Sequence, residues 1–246
     1  MITLIILTIA LFASWLLIPQ KLSRYIIGSI VTFLFVVQII GIVANMTQHF
    51  GMQKETIHES EKRIYSAANS KSPAQMLIAN EIGNNSNNYV MVYKDNKDDT
   101  KATAHFKPKT TKEDISESTK KQAYYETSND DNATLKNTKE YWVWKNKYYR
   151  YLFDFGKEDK ELIKETSVVT VPDDTWVVLN AQEAKKLQKQ QSKLTKNSQK
   201  KAKEAIQNKI ITYKKAHPKA SDKTIKAIAE KEQKRYITQQ IKDMMK

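Results

Sequence analysis

The sequence predicts a membrane-anchored α+β protein: an N-terminal two-helix transmembrane hairpin, a small antiparallel β domain and C-terminal basic helices. Three observations carry that expectation. Two uncharged apolar runs stand at the N-terminus, period-two patterns fill the middle, and a lysine-rich stretch without glycine closes the chain. The expected divisions are a transmembrane hairpin over 1–44, a juxtamembrane linker over 45–71, the β domain over 72–180 and a lysine-rich helical tail over 181–246.

The first run, Met1–Ile18, is apolar apart from a few small hydroxyls, and Pro19 ends it. At about 1.5 Å per residue it is just long enough for a hydrocarbon core of about 30 Å. The second run, Tyr25–Ala44, is also uncharged. Ser29, Thr32 and Gln38 lie inside it, where their side chains can bond backbone or the partner helix, and Gly28 and Gly41 allow close approach. Trp15 and Tyr25 flank the short loop, a place suited to amphipathic rings at headgroup level. The first run has no basic segment before it and no small-residue cleavage site after it, so it is expected to stay uncleaved.

The loop Gln20–Arg24 carries Lys21 and Arg24 and no acid, whereas Asn45–Gln53 carries no charged side chain. By the positive-inside rule the loop is cytoplasmic, and the soluble region lies outside the cell.

Residues 45–71 read as a linker, helical between Lys54 and Ala68 and broken at Ser72-Pro73. Candidate strands follow at Gln75–Ala79, Tyr89–Tyr93, Ala102–Phe106, Ala123–Thr127, Tyr141–Lys145, Tyr148–Phe153, Leu162–Val171 and Thr175–Leu179, separated by polar turn clusters. Asn146-Lys147, between two aromatic runs, reads as a tight β-hairpin. From Ala181 the chain reads as helix to His217-Pro218. A second helix is capped by Ser221. Leu187, Leu194, Ala202, Ile206 and Ile210, and then Ile225, Ile228, Ala229, Tyr236, Ile237, Ile241, Met244 and Met245, recur at helical spacing, the second set as one apolar stripe. The two helices either fold back on each other or form a free amphipathic arm.

The charge of +14 is unevenly spread. Residues 51–180 hold 20 Lys/Arg against 21 Asp/Glu, and residues 181–246 hold 19 against 6. So concentrated a basic excess suits an anionic partner, or else it is the solvated outer face of a helix pair.

Candidate chemistry is sparse. There is no cysteine, which removes disulfides, thiolate catalysis and cysteine metal sites. His49, His58, His105 and His217 are scattered without helix-face spacing, and five glycines form no phosphate-binding loop. Asp95–Asp99 is acidic but lacks the glycine and terminal glutamate of a calcium loop. No catalytic, cofactor-binding or metal residue is assigned, no cofactor is expected, and the protein is read as not an enzyme. The densest feature is the aromatic stretch 141–153. As a strand pair it fills the core of a small sheet, which is the preferred reading. Alternatively Trp142, Trp144, Lys145, Lys147, Tyr149 and Arg150 form an exposed aromatic and basic platform that binds sugars, an anionic polymer or a protein.

The order of these features resembles an uncharacterised family of membrane proteins of lactic acid bacteria, domain of unknown function family 4811. The resembling parts are the two apolar runs, Gln48-His49-Phe50-Gly51-Met52, Ile64-Tyr65-Ser66-Ala67, the stretch Trp142–Phe153, and Ala181-Gln182-Glu183-Ala184-Lys185-Lys186-Leu187, nearly the whole chain. The resemblance brings no established activity and no site residues. Members lie near drug-efflux transporters of the major facilitator type, which implies an envelope or export role. The expected function is therefore a non-catalytic, membrane-anchored cell-envelope protein. Its partners are the bilayer and either a transporter or an anionic envelope polymer. The alternative is a cytoplasm-facing tethered module whose tail binds anionic lipid or nucleic acid, with nucleic acid the less favoured of the two. A hydrolase of envelope material is the least favoured reading.

Overall fold

The computed structural model describes all residues except Met1, Ser70, Lys71, Pro73, residues 109–116, Phe155, Lys157, Glu158 and Lys246, and for residues 190–202 it describes the backbone alone. The expected break at Pro73, and Leu194 and Ala202 of the tail stripe, lie outside the described residues. The chain forms two compact units, Met1–Ile57 with Lys139–Glu165, and His58–Thr138 with Thr166–Lys246.

The first unit opens with two apolar helices, α1 (Ile2–Leu16) and α2 (Lys21–Gln48). Among the described residues α2 is the one helix long and apolar enough to cross a membrane; α1 is apolar but has only 15 residues. Helix α2 outruns the expected 25–44 at both ends. Its C-terminus is set by His49 in the left-handed conformation, whose backbone N–H closes onto the last turn, and by Gly51 at φ 85°. The helices touch where α2 is smallest. A Cβ on Gly28 would lie 2.8 Å from the Trp15 ring. Indole Nε1 donates to Thr32 Oγ1 at 3.2 Å, and the ring meets Tyr25 edge-on at 6.1 Å. Trp15 thus fills a helix–helix groove as well as flanking the loop. The buried positions of α2 are Gly28, Gln38 and Ile42, while Phe33 and Ile40 are 67% and 62% exposed.

The expected helix between Lys54 and Ala68 is corrected: this segment holds strands β1 (Met52–His58) and β2 (Lys62–Arg63). Most side chains of β1 are exposed. Its Lys/Glu composition therefore shows no apolar alternation, and the ladder to β7 (Thr134–Trp144) holds it in place. The remaining strands are β3 (Gln75–Glu81), β4 (Tyr89–Tyr93), β5 (Thr103–His105), β6 (Lys121–Ser128), β8 (Lys160–Pro172) and β9 (Trp176–Leu179). One sheet has the order β1-β7-β8-β6 with β2 on β7, and the other has the order β5-β4-β3-β9. The second sheet is mixed rather than antiparallel throughout. Strand β9 pairs β3 in parallel, from Gln75↔Trp176 to Ile78↔Leu179, because the chain between them leaves this sheet and returns.

Strand periodicity sorts the second unit into layers. Leu77, Ala79 and Trp176 point to one side and join Met91, Tyr93, Ala123, Val169 and Val171 in a core between the sheets. Their neighbours Val177 and Leu179 point to the other side and meet Leu187 and Ile241 of two long helices. Strand β9, buried on both faces, is accordingly the uninterrupted apolar run Trp176-Val177-Val178-Leu179. Tyr93 is buried and stacks on His105 at 3.9 Å. Burial first, and then the charge of Asp95, raise its phenol pKa.

The long helices are α4 (Ala181–Ala216) and α5 (Asp222–Met245), after the short α3 (Lys147–Phe153) of the first unit. Asn180 begins α4 with a full capping box to Glu183. The expected Ser221 cap is present, with Oγ accepting from Thr224 N–H at 3.2 Å. The helices fold back on each other rather than forming a free arm. Ile237, Ile241 and Met245 pack on β9 and α4. Lys209 pairs with Glu232 (2.6 Å), Arg235 with Asp174 (2.7 Å), Lys242 with Asp173 (2.5 Å), and Lys231 with Asp131. Burial alone would raise the Glu232 pKa, but hydrogen bonds from Lys209 and Arg235 outweigh it and hold the carboxyl below its ordinary value.

Ile241 is 3% exposed at the centre of this contact. Ile241→Ala is expected to destabilise the full chain by about 2–5 kcal/mol, as core truncations do. Lys203→Gln on the exposed face should stay within about 0.5 kcal/mol. Denaturant unfolding in detergent micelles measures both, and equal, small effects would show that the helices are not docked.

Candidate functional site

The aromatic stretch departs most from expectation. The tight hairpin at Asn146-Lys147 and the strand Tyr148–Phe153 are corrected: strand β7 ends at Trp144, and Lys147–Phe153 is helix α3. The reason is local. Asn146 is extended and its Oδ1 accepts from the backbone N–H groups of Tyr148 (3.0 Å) and Tyr149 (3.2 Å), an N-cap that starts a helix where a hairpin would need a left-handed turn.

The six residues singled out from the sequence all fall in the first unit, but not on one strand platform. Trp142 and Trp144 are half-buried on β7. The Trp142 ring stacks on His49 at 4.4 Å, and Lys54 Nζ lies 5.5 Å from its centroid. His49 Nε2 is 3.8 Å from Glu161. Exposed Lys145 uses its backbone N–H to bond the Gly51 carbonyl at 3.0 Å. Lys147 lies over the Tyr148 ring at 5.9 Å. Tyr149 covers Gly51 so closely that a Cβ there would sit 2.7 Å from its ring, and it meets Phe50 edge-on at 5.7 Å. Arg150 reaches Asp154 (3.4 Å) and Asp159 (2.5 Å). The residues are thus divided between a stack at the end of α2 and a helix packed beside it.

Sequence reading missed what positions α3. Phe153 lies over Gly41, where a Cβ would come within 2.6 Å of the ring. Gln38, 7% exposed and in the middle of an apolar helix, donates from Nε2 to the Leu152 carbonyl at 2.6 Å. Thr3 of α1 donates to the carbonyls of Tyr151 (3.3 Å) and Leu152 (3.5 Å), and Gln38 also reaches Thr3 Oγ1 at 3.4 Å. A helix leaves its last carbonyls without partners in its own backbone. Here two polar side chains from the apolar helices supply the donors. The sequence signal is Gln38 itself, expected to bond backbone or the partner helix; it reaches Thr3 of the partner helix and, unexpectedly, the Leu152 carbonyl of α3.

Among the described residues no group of three or more His, Asp or Glu is placed to hold a metal ion. The arrangement anchors a helix and presents aromatic rings.

Fold and site define an α+β protein with a candidate membrane span on which an aromatic helix is packed. The family model for the domain of unknown function DUF4811 matches residues 20–187, and the chain belongs to that family. The match takes in α2, the nine strands of the described residues, α3 and the start of α4, but not α1 or α5. No curated protein and no solved structure matches the chain.

Replacing Gln38 with leucine leaves the Leu152 carbonyl without its shortest donor. Gln38→Leu is expected to destabilise α3 docking by about 1–3 kcal/mol, the range for a buried polar group left unpaired. The readout is the thermal melting of the full chain in detergent, together with faster tryptic cleavage at Lys147 and Arg150. Wild-type melting and wild-type cleavage would show that the bond does not hold α3.

Proposed function

We propose that the protein is a non-catalytic component of the cell envelope, in a lactic acid bacterium as the family resemblance implies. In this reading α1 and α2 form a two-span membrane hairpin, and the rest of the chain lies outside the cell. The observation that carries it is the inverted burial of α2. A core helix of a soluble protein turns most of its large apolar side chains inward, whereas α2 buries only Gly28, Gln38 and Ile42 and exposes Phe33, Ile40 and many of their apolar neighbours. That pattern suits lipid as the solvent of the outer face, with small and polar residues at the helix–helix contact. Lys21 and Arg24 in the loop support a cytoplasmic loop.

The basic helices are the proposed contact to an anionic envelope polymer or a transporter. Lys209, Lys231, Arg235 and Lys242 are engaged in the ion pairs that fix α5. Lys185, Lys186, Lys189 and Lys203 lie on the exposed face of α4. Each lysine near an anionic surface contributes about 1 kcal/mol, and this decays over a Debye length of about 10 Å at ordinary salt.

The cysteine-free chain makes the test direct. Ser128→Cys and Ser221→Cys in intact cells should both react with a membrane-impermeant maleimide, and labelling only after lysis would favour the cytoplasm-facing alternative. On the full chain in zwitterionic nanodiscs, poly(glycerol phosphate) should bind at low salt. Changing Lys185, Lys186, Lys189 and Lys203 together to Gln should weaken that binding at least tenfold, since about 1.4 kcal/mol suffices for a factor of ten. Unchanged binding by the fourfold variant would assign these lysines to a solvated face.

A further inference from the structure

Helix α3 runs beside the outer end of α2. Tyr149 covers Gly51, just past the end of α2, and Phe153 covers Gly41, most of two turns back inside it. The Leu152 carbonyl meets Gln38, a turn deeper still. If a hydrocarbon core of about 30 Å begins at Tyr25, it takes about 20 residues and ends near Ala44. Gln38 then lies about 9 Å below that boundary at 1.5 Å per residue. Helices that lie in a membrane interface sink their apolar faces by about 5–10 Å, so the end of α3 is at the right depth for one.

The chemistry of α3 fits that depth. Backbone carbonyls cannot stay unpaired in lipid, and those of Tyr151 and Leu152 are bonded by Gln38 and Thr3. The guanidinium of Arg150 is matched by Asp154 and Asp159. The side of α3 turned away from α2 carries Tyr148 and Tyr151, 69% and 63% exposed. Phe50 and Met46 of the neighbouring segment are exposed as well, so the surface continues the apolar outer face of α2. Tyrosine, with an apolar ring and a polar tip, is the side chain enriched at membrane–water boundaries.

We propose that α3 is an interfacial helix that dips into the bilayer leaflet entered by the outer end of α2, with Tyr148 and Tyr151 inserted among the lipids. The occupant of this aromatic surface is therefore phospholipid rather than a sugar or a protein partner. This inference rests on the membrane reading of α2.

The test uses single nitroxide labels on the full, cysteine-free chain in nanodiscs of phosphatidylcholine and phosphatidylglycerol. The labelled variants are Tyr148→Cys, Tyr151→Cys, Val36→Cys within α2, and Ser128→Cys as an aqueous reference. Power saturation compares collision with oxygen, which concentrates in lipid, and with a polar nickel chelate, which stays in water. At Tyr148 and Tyr151 oxygen should dominate, at a depth between those of Ser128 and Val36. Water-like values at both tyrosine positions, with Val36 deep in lipid, would overturn the inference and leave the span standing. Water-like values at Val36 would overturn the span and the inference with it.

Discussion

The hydrogen bond from Gln38 Nε2 to the Leu152 carbonyl, 2.6 Å long, sets the arrangement of the first unit. A seven-residue helix has more backbone groups at its ends than it can pair internally, and isolated it has no stability of its own. Helix α3 exists because Asn146 supplies acceptors at its start and Gln38 and Thr3 supply donors at its finish. Between those ends, Gly41 and Gly51 let the Phe153 and Tyr149 rings approach the backbone of α2 and the turn after it. Gln38 and Thr3 of the apolar helices thus have a defined purpose, and so do Gly41 and Gly51.

The second unit meets a different constraint. Its β3–β9 edge has apolar side chains on both faces, so one sheet cannot shield it. The opposing sheet covers Leu77 and Trp176, and α4 and α5 cover Val177 and Leu179. Four ion pairs then fix α5, three of them to acidic residues in turns, Asp131, Asp173 and Asp174. Part of the basic excess is therefore consumed in holding the fold. Lys185, Lys186, Lys189 and Lys203, exposed on α4, take no part in these pairs.

Much of this was legible in the sequence wherever one period dominated. Tyr89–Tyr93 is a strand with the expected bounds, and β3, β8 and β9 fall within a few residues of theirs. The break at His217-Pro218 and the Ser221 cap are also as read. The failures share a cause. Strands β1 and β2 are polar and exposed, so they carry no apolar alternation and are held by ladder bonds that composition does not show. In Lys147–Phe153 the aromatic composition favours a strand, yet the Asn146 cap and the bonds from Gln38 and Thr3 decide for a helix. Two of those three partners lie more than 100 residues away. The parallel β3–β9 pairing is likewise a contact between distant segments, invisible to local periodicity. Trp142 and Tyr149, both singled out in the sequence, make ring contacts in the first unit. The stacking of Trp142 on His49, the cover of Tyr149 over Gly51 and the bond from Gln38 to Leu152 join residues that local patterning does not show as neighbours.

The contact between Gln38 and α3 can be measured without perturbing it. The full chain in lipid bilayers would carry 15N in its glutamine side-chain amides and 13C in its leucine carbonyls. Magic-angle-spinning dipolar recoupling would then read the coupling between Gln38 Nε2 and the Leu152 carbonyl carbon, assigned by its loss in Gln38→Leu. A strong coupling, as for a directly hydrogen-bonded amide and carbonyl, is the expected result. No coupling between these atoms in a folded sample, with α3 still helical, would contradict the account by showing that α3 is held some other way.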